Sequence, residues 1–147
     1  MASPIEAQLI LADAAQSAGG KVHMLGAGWS ITGTPTAPQA VVGLIKVPWD
    51  RANEQLSLRL RLEDEDGKAV VLPGPDGTLD QRIEFEAAVE VGRPPGLKHG
   101  TPIDSTFAVS VQPMPLPPGR YTWRLQIADD VFSTAFSVLA QMPGPPA

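Results

Sequence analysis

LPPGRYTWRLQI, residues 116–127, is the stretch whose reading decides the fold. Tyr121, the only tyrosine of the chain, stands directly after a Pro-Pro-Gly corner. It opens a run in which Tyr121, Trp123, Leu125 and Ile127 alternate with Thr122, Arg124 and Gln126. Alternation of period two puts the first set on one face of a β-strand and the second on the other. The apolar face is therefore the core face, and Arg120, Thr122, Arg124 and Gln126 look away from it.

The same period recurs on both sides of this strand. Leu56, Leu58, Leu60 and Leu62 alternate with Ser57, Arg59, Arg61 and Glu63. Leucine favours helices, but a helix would scatter these four around its whole circumference, so the pattern outweighs the propensity. Asp64-Glu65-Asp66-Gly67 follows, and Lys68–Leu72 reads as the returning arm of a hairpin. Ile83, Phe85, Ala87, Val89 and Val91 alternate with Glu84, Glu86, Ala88 and Glu90, giving a half-buried strand with a charged outer face. Phe107, Val109 and Val111 form another, as do Phe132, Thr134, Phe136 and Val138 after a turn at Ala128–Asp130. Ala40–Val47 (AVVGLIKV) is denser in apolar residues, as expected of a strand covered on both faces. Ile5–Asp13 and Lys21–Leu25 read as short strands, with either a connection or a helical turn over Ala14–Gly20. Gly26–Thr36 reads as a loop or bulged strand containing Trp29.

Eight or nine short strands with frequent turn signals predict an all-β, immunoglobulin-like Greek-key sandwich of antiparallel strands, with a partly closed barrel as the alternative. In such sandwiches a tyrosine near the start of the penultimate strand bonds back to backbone a few residues upstream. Leu116, Gly119 and Tyr121 resemble that tyrosine corner. One domain over residues 1–141 is expected, followed by a Pro-rich tail over 142–147 that cannot continue a ladder.

Composition narrows the function classes. There are no cysteines among the 147 residues, so neither disulfides nor thiolate metal sites contribute, which fits a cytoplasmic protein. The net charge of −5 is spread over the chain without a basic block, which argues against a nucleic-acid partner. No secretory signal or spanning apolar run is present, so no membrane role is expected. Sixteen prolines and fourteen glycines fall mostly between the apolar runs, where they act as turn punctuation.

Taken whole, the chain resembles a family of small, uncharacterised bacterial proteins found among actinobacteria. The resemblance rests on LILADAAQ (9–16), GKVHMLGAGWS (20–30), VPWD (47–50) with Asn53 nearby, and VGRPPGLKHGTPID (91–104) leading to LPPGRYTWRL (116–125). It implies one domain and brings no catalytic residues with it.

Chemistry-bearing patterns are sparse. Gly26-Ala27-Gly28-Trp29-Ser30 lacks the third glycine of a dinucleotide fingerprint and the Gly-Lys-Ser/Thr of a P-loop, so its glycines are read as room for a bulge beside Trp29. His23 and His99 have no ligand-like spacing to each other or to Asp13 and Asp104, and no metal or other cofactor is expected. Ser30, Ser105 and Ser110 lie outside any nucleophile-elbow context, leaving a hydrolase a remote reading. The acids Glu63–Asp66 are read as a solvated turn, and Glu84, Glu86 and Glu90 as partners for Arg59 and Arg61.

Two loops remain. Pro48–Asn53 carries Trp49, Asp50 and Asn53, read structurally as a tryptophan lid over one end of the core with Asp50 capping a turn. Gly92–Thr101 carries Arg93, Lys98 and His99 on a rigid, mildly basic loop of a kind suited to partner contact. The expectation is a non-catalytic interaction or structural module that binds a protein partner or self-associates as a homo-oligomer. The alternative is a small-ligand or carbohydrate-binding module using Trp29 or Trp49 with Asp50 and Asn53.

Overall fold

A computed structural model describes residues 3–74 and 79–142. Its strands are β1 (Glu6–Ala12), β2 (Ala14–Ala18), β3 (Lys21–Leu25), β4 (Ile31–Thr32), β5 (Gln39–Val47), β6 (Leu56–Glu63), β7 (Val71–Pro73), β8 (Leu79–Arg82), β9 (Glu84–Val89), β10 (Ile103–Val111), β11 (Gly119–Ile127) and β12 (Asp130–Val138). A three-stranded sheet of order β1-β5-β10 faces a five-stranded sheet of order β4-β12-β11-β6-β9. All neighbours are antiparallel except β4, which runs parallel to β12. The fold is thus an all-β sandwich whose sheets do not close into a barrel.

Its core follows from alternation. On the five-stranded sheet Leu56, Leu58, Leu60 and Leu62 of β6 and Tyr121, Trp123, Leu125 and Ile127 of β11 all point inward and are buried. Leu11, Val41, Ile45 and Val47 face them from the other sheet. The Trp123 indole N–H donates to Gln39 Oε1 at 3.1 Å, tying β11 to β5 across the interior. Gly43 sits in the middle of β5 directly opposite Phe107 of β10. A Cβ on Gly43 would lie 2.0 Å from a Phe107 ring carbon, so the glycine makes room for the ring.

The tyrosine corner is present. Tyr121 Oη donates to the Pro117 carbonyl at 2.7 Å, four residues upstream, and its ring stacks on Phe136 with centroids 5.8 Å apart. The turn before β12 is as short as the sequence implies, with Ile127 paired to Asp130.

Four expectations change. The two layers hold eight strands, and four more lie in two extra hairpins, so the described total exceeds eight or nine. Ala14–Gly20 contains no helical turn: β2 pairs with β3 through Gly19 and Gly20, whose φ values of 61° and 73° suit a tight reversal. That hairpin packs over the outer face of β5 and β10, where Ala12, Ala40 and Val42 are fully buried. β5 is accordingly covered on both faces over Ala40–Val42, while further along its outer face Leu44 is half-buried and Lys46 exposed. The arm after Asp66-Gly67 stays with β6 only at the Glu63–Ala69 bridge and the Val70 N–H to Leu62 carbonyl bond. It then leaves to pair with β8, because β9 occupies the flank of β6. Finally, Gly26–Thr36 includes the two-residue strand β4. Residues 143–147 of the expected tail lie outside the described residues.

Candidate contact site

The chain brings its two candidate loops together. β5 ends at Val47 opposite Ile103, the first residue of β10, so the segments following β5 and preceding β10 meet at one end of the sandwich. Pro48 starts a single 3-10 turn, Trp49–Arg51, and Asn53 then takes φ 63°, a left-handed conformation that asparagine tolerates. This reversal aims the Asn53 backbone N–H at the Val91 carbonyl, 2.7 Å away, which joins the 48–53 segment to the start of the 92–101 loop.

Arg93 completes the junction. Its Nε and Nη2 donate to the Trp49 carbonyl at 3.2 and 2.8 Å, and its guanidinium carbon lies 4.7 Å from the Trp49 ring centroid, in cation–π range. The His99 ring is 5.1 Å from the same indole, tilted by 52°. Trp49 is half-buried while Asp50, Arg93, Lys98 and His99 are exposed, so the assembly is an aromatic platform edged by cations. A cleft of about 470 Å³ opens beside it, lined by Ser3, Glu6, Lys46, Trp49, Asp50 and His99 among others.

Beneath the platform lies a residue the sequence reading passed over. Arg51 is 8% exposed and spends its guanidinium on Glu54, with Nη2 to Oε1 at 3.0 Å and Nε to Oε2 at 3.2 Å, and on the Ser3 carbonyl at 3.2 Å. Its hydrogen bond to Glu54 raises the Arg51 pKa against the opposing effect of desolvation. The same bond lowers that of Glu54. Spacing of three between Arg51 and Glu54 was the available signal, masked because such pairs usually lie on a solvated face. The Ile5 N–H donates to Asp130 Oδ2 at 2.9 Å, so the segment leading into β1 is also clipped at this end.

Other candidates fall differently. Asp50 does not cap the turn; no side-chain cap is present, and its Oδ2 accepts instead from Ser3 Oγ at 2.7 Å. Asn53 acts here through its backbone. Trp29 is remote from the platform and packs edge-on against Phe136, 5.9 Å away, within the sandwich. Gly26 and Gly28 are required beside it: both have positive φ, and a Cβ on Gly26 would meet Asp13 Oδ2 at 2.1 Å. His23 lies on β3 in the covering hairpin, away from His99. Among the described residues no three His, Asp or Glu side chains gather as a metal site requires.

In the cleft beside the platform Ser3 Oγ donates to Asp50 and the His99 ring lies against the Trp49 indole. On the opposite face of the sandwich Arg59 reaches both Glu84 and Glu86 at 2.9 Å, as the alternation implied, while Arg61 pairs with Glu63 on its own strand. Asp64–Asp66 form the expected turn, with Asp64 Oδ1 accepting from the N–H groups of Asp66 and Lys68, whereas Glu63 is not solvated but buried at the end of β6. None of the described helices is long and apolar enough to cross a membrane.

The chain belongs to the Family of unknown function (DUF6941), whose model matches residues 7–138. A search of curated proteins found no match.

Proposed function

We propose that the protein is a non-catalytic β-sandwich module that works through protein–protein contacts, either with itself or within a larger assembly. The observation that carries this reading is the platform at one end of the sandwich, where Trp49, Arg93 and His99 meet from two loops. Tryptophan and arginine are the side chains most enriched at the energetic centres of interfaces, and a half-buried ring already held by a guanidinium loses little freedom on docking. Arg51 and its bonds to Glu54 and Ser3 hold the platform from below, which favours recognition by a preformed surface. The absence of cysteine supports a cytoplasmic setting, and the tyrosine corner supports an immunoglobulin-like arrangement of the sandwich.

The test uses the full chain as bait in a cell extract and in sedimentation velocity over a wide concentration range. We expect a discrete partner or a concentration-dependent oligomer that Trp49→Ala and Arg93→Glu each weaken about tenfold or more, without loss of folding. A strict monomer with no retained partner, or one retained equally by both variants, overturns the reading.

The cleft of about 470 Å³ beside Trp49 favours a second reading, a small-ligand or carbohydrate site with Asp50 as the polar partner. A glycan array followed by tryptophan-fluorescence titration decides it. A saturable shift abolished by Trp49→Ala supports that reading, and no shift with any glycan removes it.

A further inference from the structure

The two sheets of the sandwich are unequal, and the mismatch falls on one side. β1 packs over β12, and β5 is bonded to β11 through Gln39 and Trp123, which places β10 above β6. β9 then extends one strand beyond the upper sheet. Burial agrees: the inward residues of β6 are no more than 6% exposed, whereas on β9 Phe85 and Val89 are only half-buried. Ala87 points inward beside Leu58 and is nevertheless exposed. On β10 the inward Ser105, Phe107 and Val109 are likewise only half-buried, although the Val41 beside them on β5 is fully covered.

Among the described residues β10 is also an edge without the usual defences. Long open edges invite pairing with another chain, and proteins blunt them with charges, prolines or brevity. β4 has two residues, β9 carries Glu84 and Glu86, and β1 carries Glu6 and packs over β12. β10 has nine residues, no proline, no lysine and one charge, Asp104, already paired with Lys46 at 2.7 Å. At its C-terminal end a groove of about 470 Å³ opens beside β7 and β8, lined by Leu72, Ile83, Phe85, Val111 and Met114 among others.

We propose that an extended segment of a partner polypeptide adds to the β10 edge as a fourth strand of the upper sheet and covers the inward face of β9. This rests on the interaction-module reading and names a second surface for it. Adjacent strands lie about 4.8 Å apart, so a vacancy one strand wide takes a single extended segment and not a second sandwich, whose own β9 would collide with this one. Main-chain hydrogen bonds hold such a segment, and its alternate side chains select it. Here the inward positions are apolar, to meet Phe85, Ala87 and Val89. Charge sets direction: Arg93 and Lys98 stand at the end where β10 begins, and neither has a carboxylate partner among the described residues. A segment antiparallel to β10 brings its C-terminal end there, so an acidic residue or terminal carboxylate fits that end. The occupant is thus roughly six residues of alternating apolar character with an acidic C-terminal end.

The test is selection from a phage-displayed random-octapeptide library on the full chain, followed by fluorescence polarisation with the recovered peptides. Ala87→Arg places a charge on the inward face of β9 at an exposed position, and Ala88→Arg places the same charge on the opposite face as a control; both are checked by thermal melting. Expected are peptides apolar at every second position and acidic near the C-terminus, weakened about tenfold or more by Ala87→Arg and less than about twofold by Ala88→Arg. Lys98→Glu weakens them about threefold. No enrichment, or peptides indifferent to Ala87→Arg, overturns the proposal. Trp49→Ala leaves the inward face of β9 and the charges of Arg93 and Lys98 in place, so the module reading is judged separately by the partner that variant loses.

Discussion

Tyr121 couples the corner to the core through one hydroxyl, and its removal isolates that bond. Tyr121→Phe keeps the ring on Phe136 and strips the donor from the Pro117 carbonyl, so a loss of about 1 kcal/mol is expected in urea unfolding at neutral pH, with an unchanged m-value. Burial, reinforced by the charges of Asp64 and Glu65, raises the phenol pKa in the folded state. The fold therefore holds the proton more tightly than the unfolded chain does. This contribution is complete below the ordinary tyrosine range and is lost as pH rises through that range to the folded value. Unfolding at stepped alkaline pH should show this decline in the native protein and a flatter arm in Tyr121→Phe. The inward direction of Tyr121 was legible because alternation is local. The left-handed turn at Asn53 and the bond from Ser3 to Asp50 were not, since they depend on segments meeting across the fold.

At the scale of elements, glycine placement in β5 makes the sharpest prediction. Gly43→Ala forces the Phe107 ring off its neighbour, and overpacking of this kind typically costs about 1–3 kcal/mol. Differential scanning calorimetry should register a lowered Tm, and Gly43→Ala combined with Phe107→Leu should recover part of it by vacating the space. The strands β6, β9, β10, β11 and β12 were legible because each carries apolar residues at every second position. The β2–β3 hairpin was less so: Ala14–Gly20 carries weak local preference and takes its form from the outer face of β5 that it covers. β7 and β8 are too short to show a period, and their pairing depends on β9 having claimed the flank of β6. The longer strands were in the sequence, while the unequal width of the sheets was not. Nothing local to Ala87 says that its inward side is left uncovered.

For the molecule as a whole, one end carries both the clip on the segment leading into β1 and the contact platform. Glu54 has its carboxyl held below the usual range by the Arg51 hydrogen bond, so its contribution to stability is complete above the ordinary carboxylate range and disappears as pH falls through the lowered value. Thermal unfolding from neutral to acid pH should show that loss, and Glu54→Gln should start less stable and lose less. Trp49 and the 92–101 loop were legible as candidates from residue type and loop position. Their convergence was not, because 44 residues separate Trp49 from Arg93 and only the shared ends of β5 and β10 bring them together. The central claim is that this end of the sandwich is where the protein meets its partner. Amide hydrogen exchange of the full chain, alone and in the assembly it forms, tests that most directly. Slowed exchange concentrated at residues 48–53 and 92–101 is the predicted result, and unchanged exchange in both segments on assembly would contradict it.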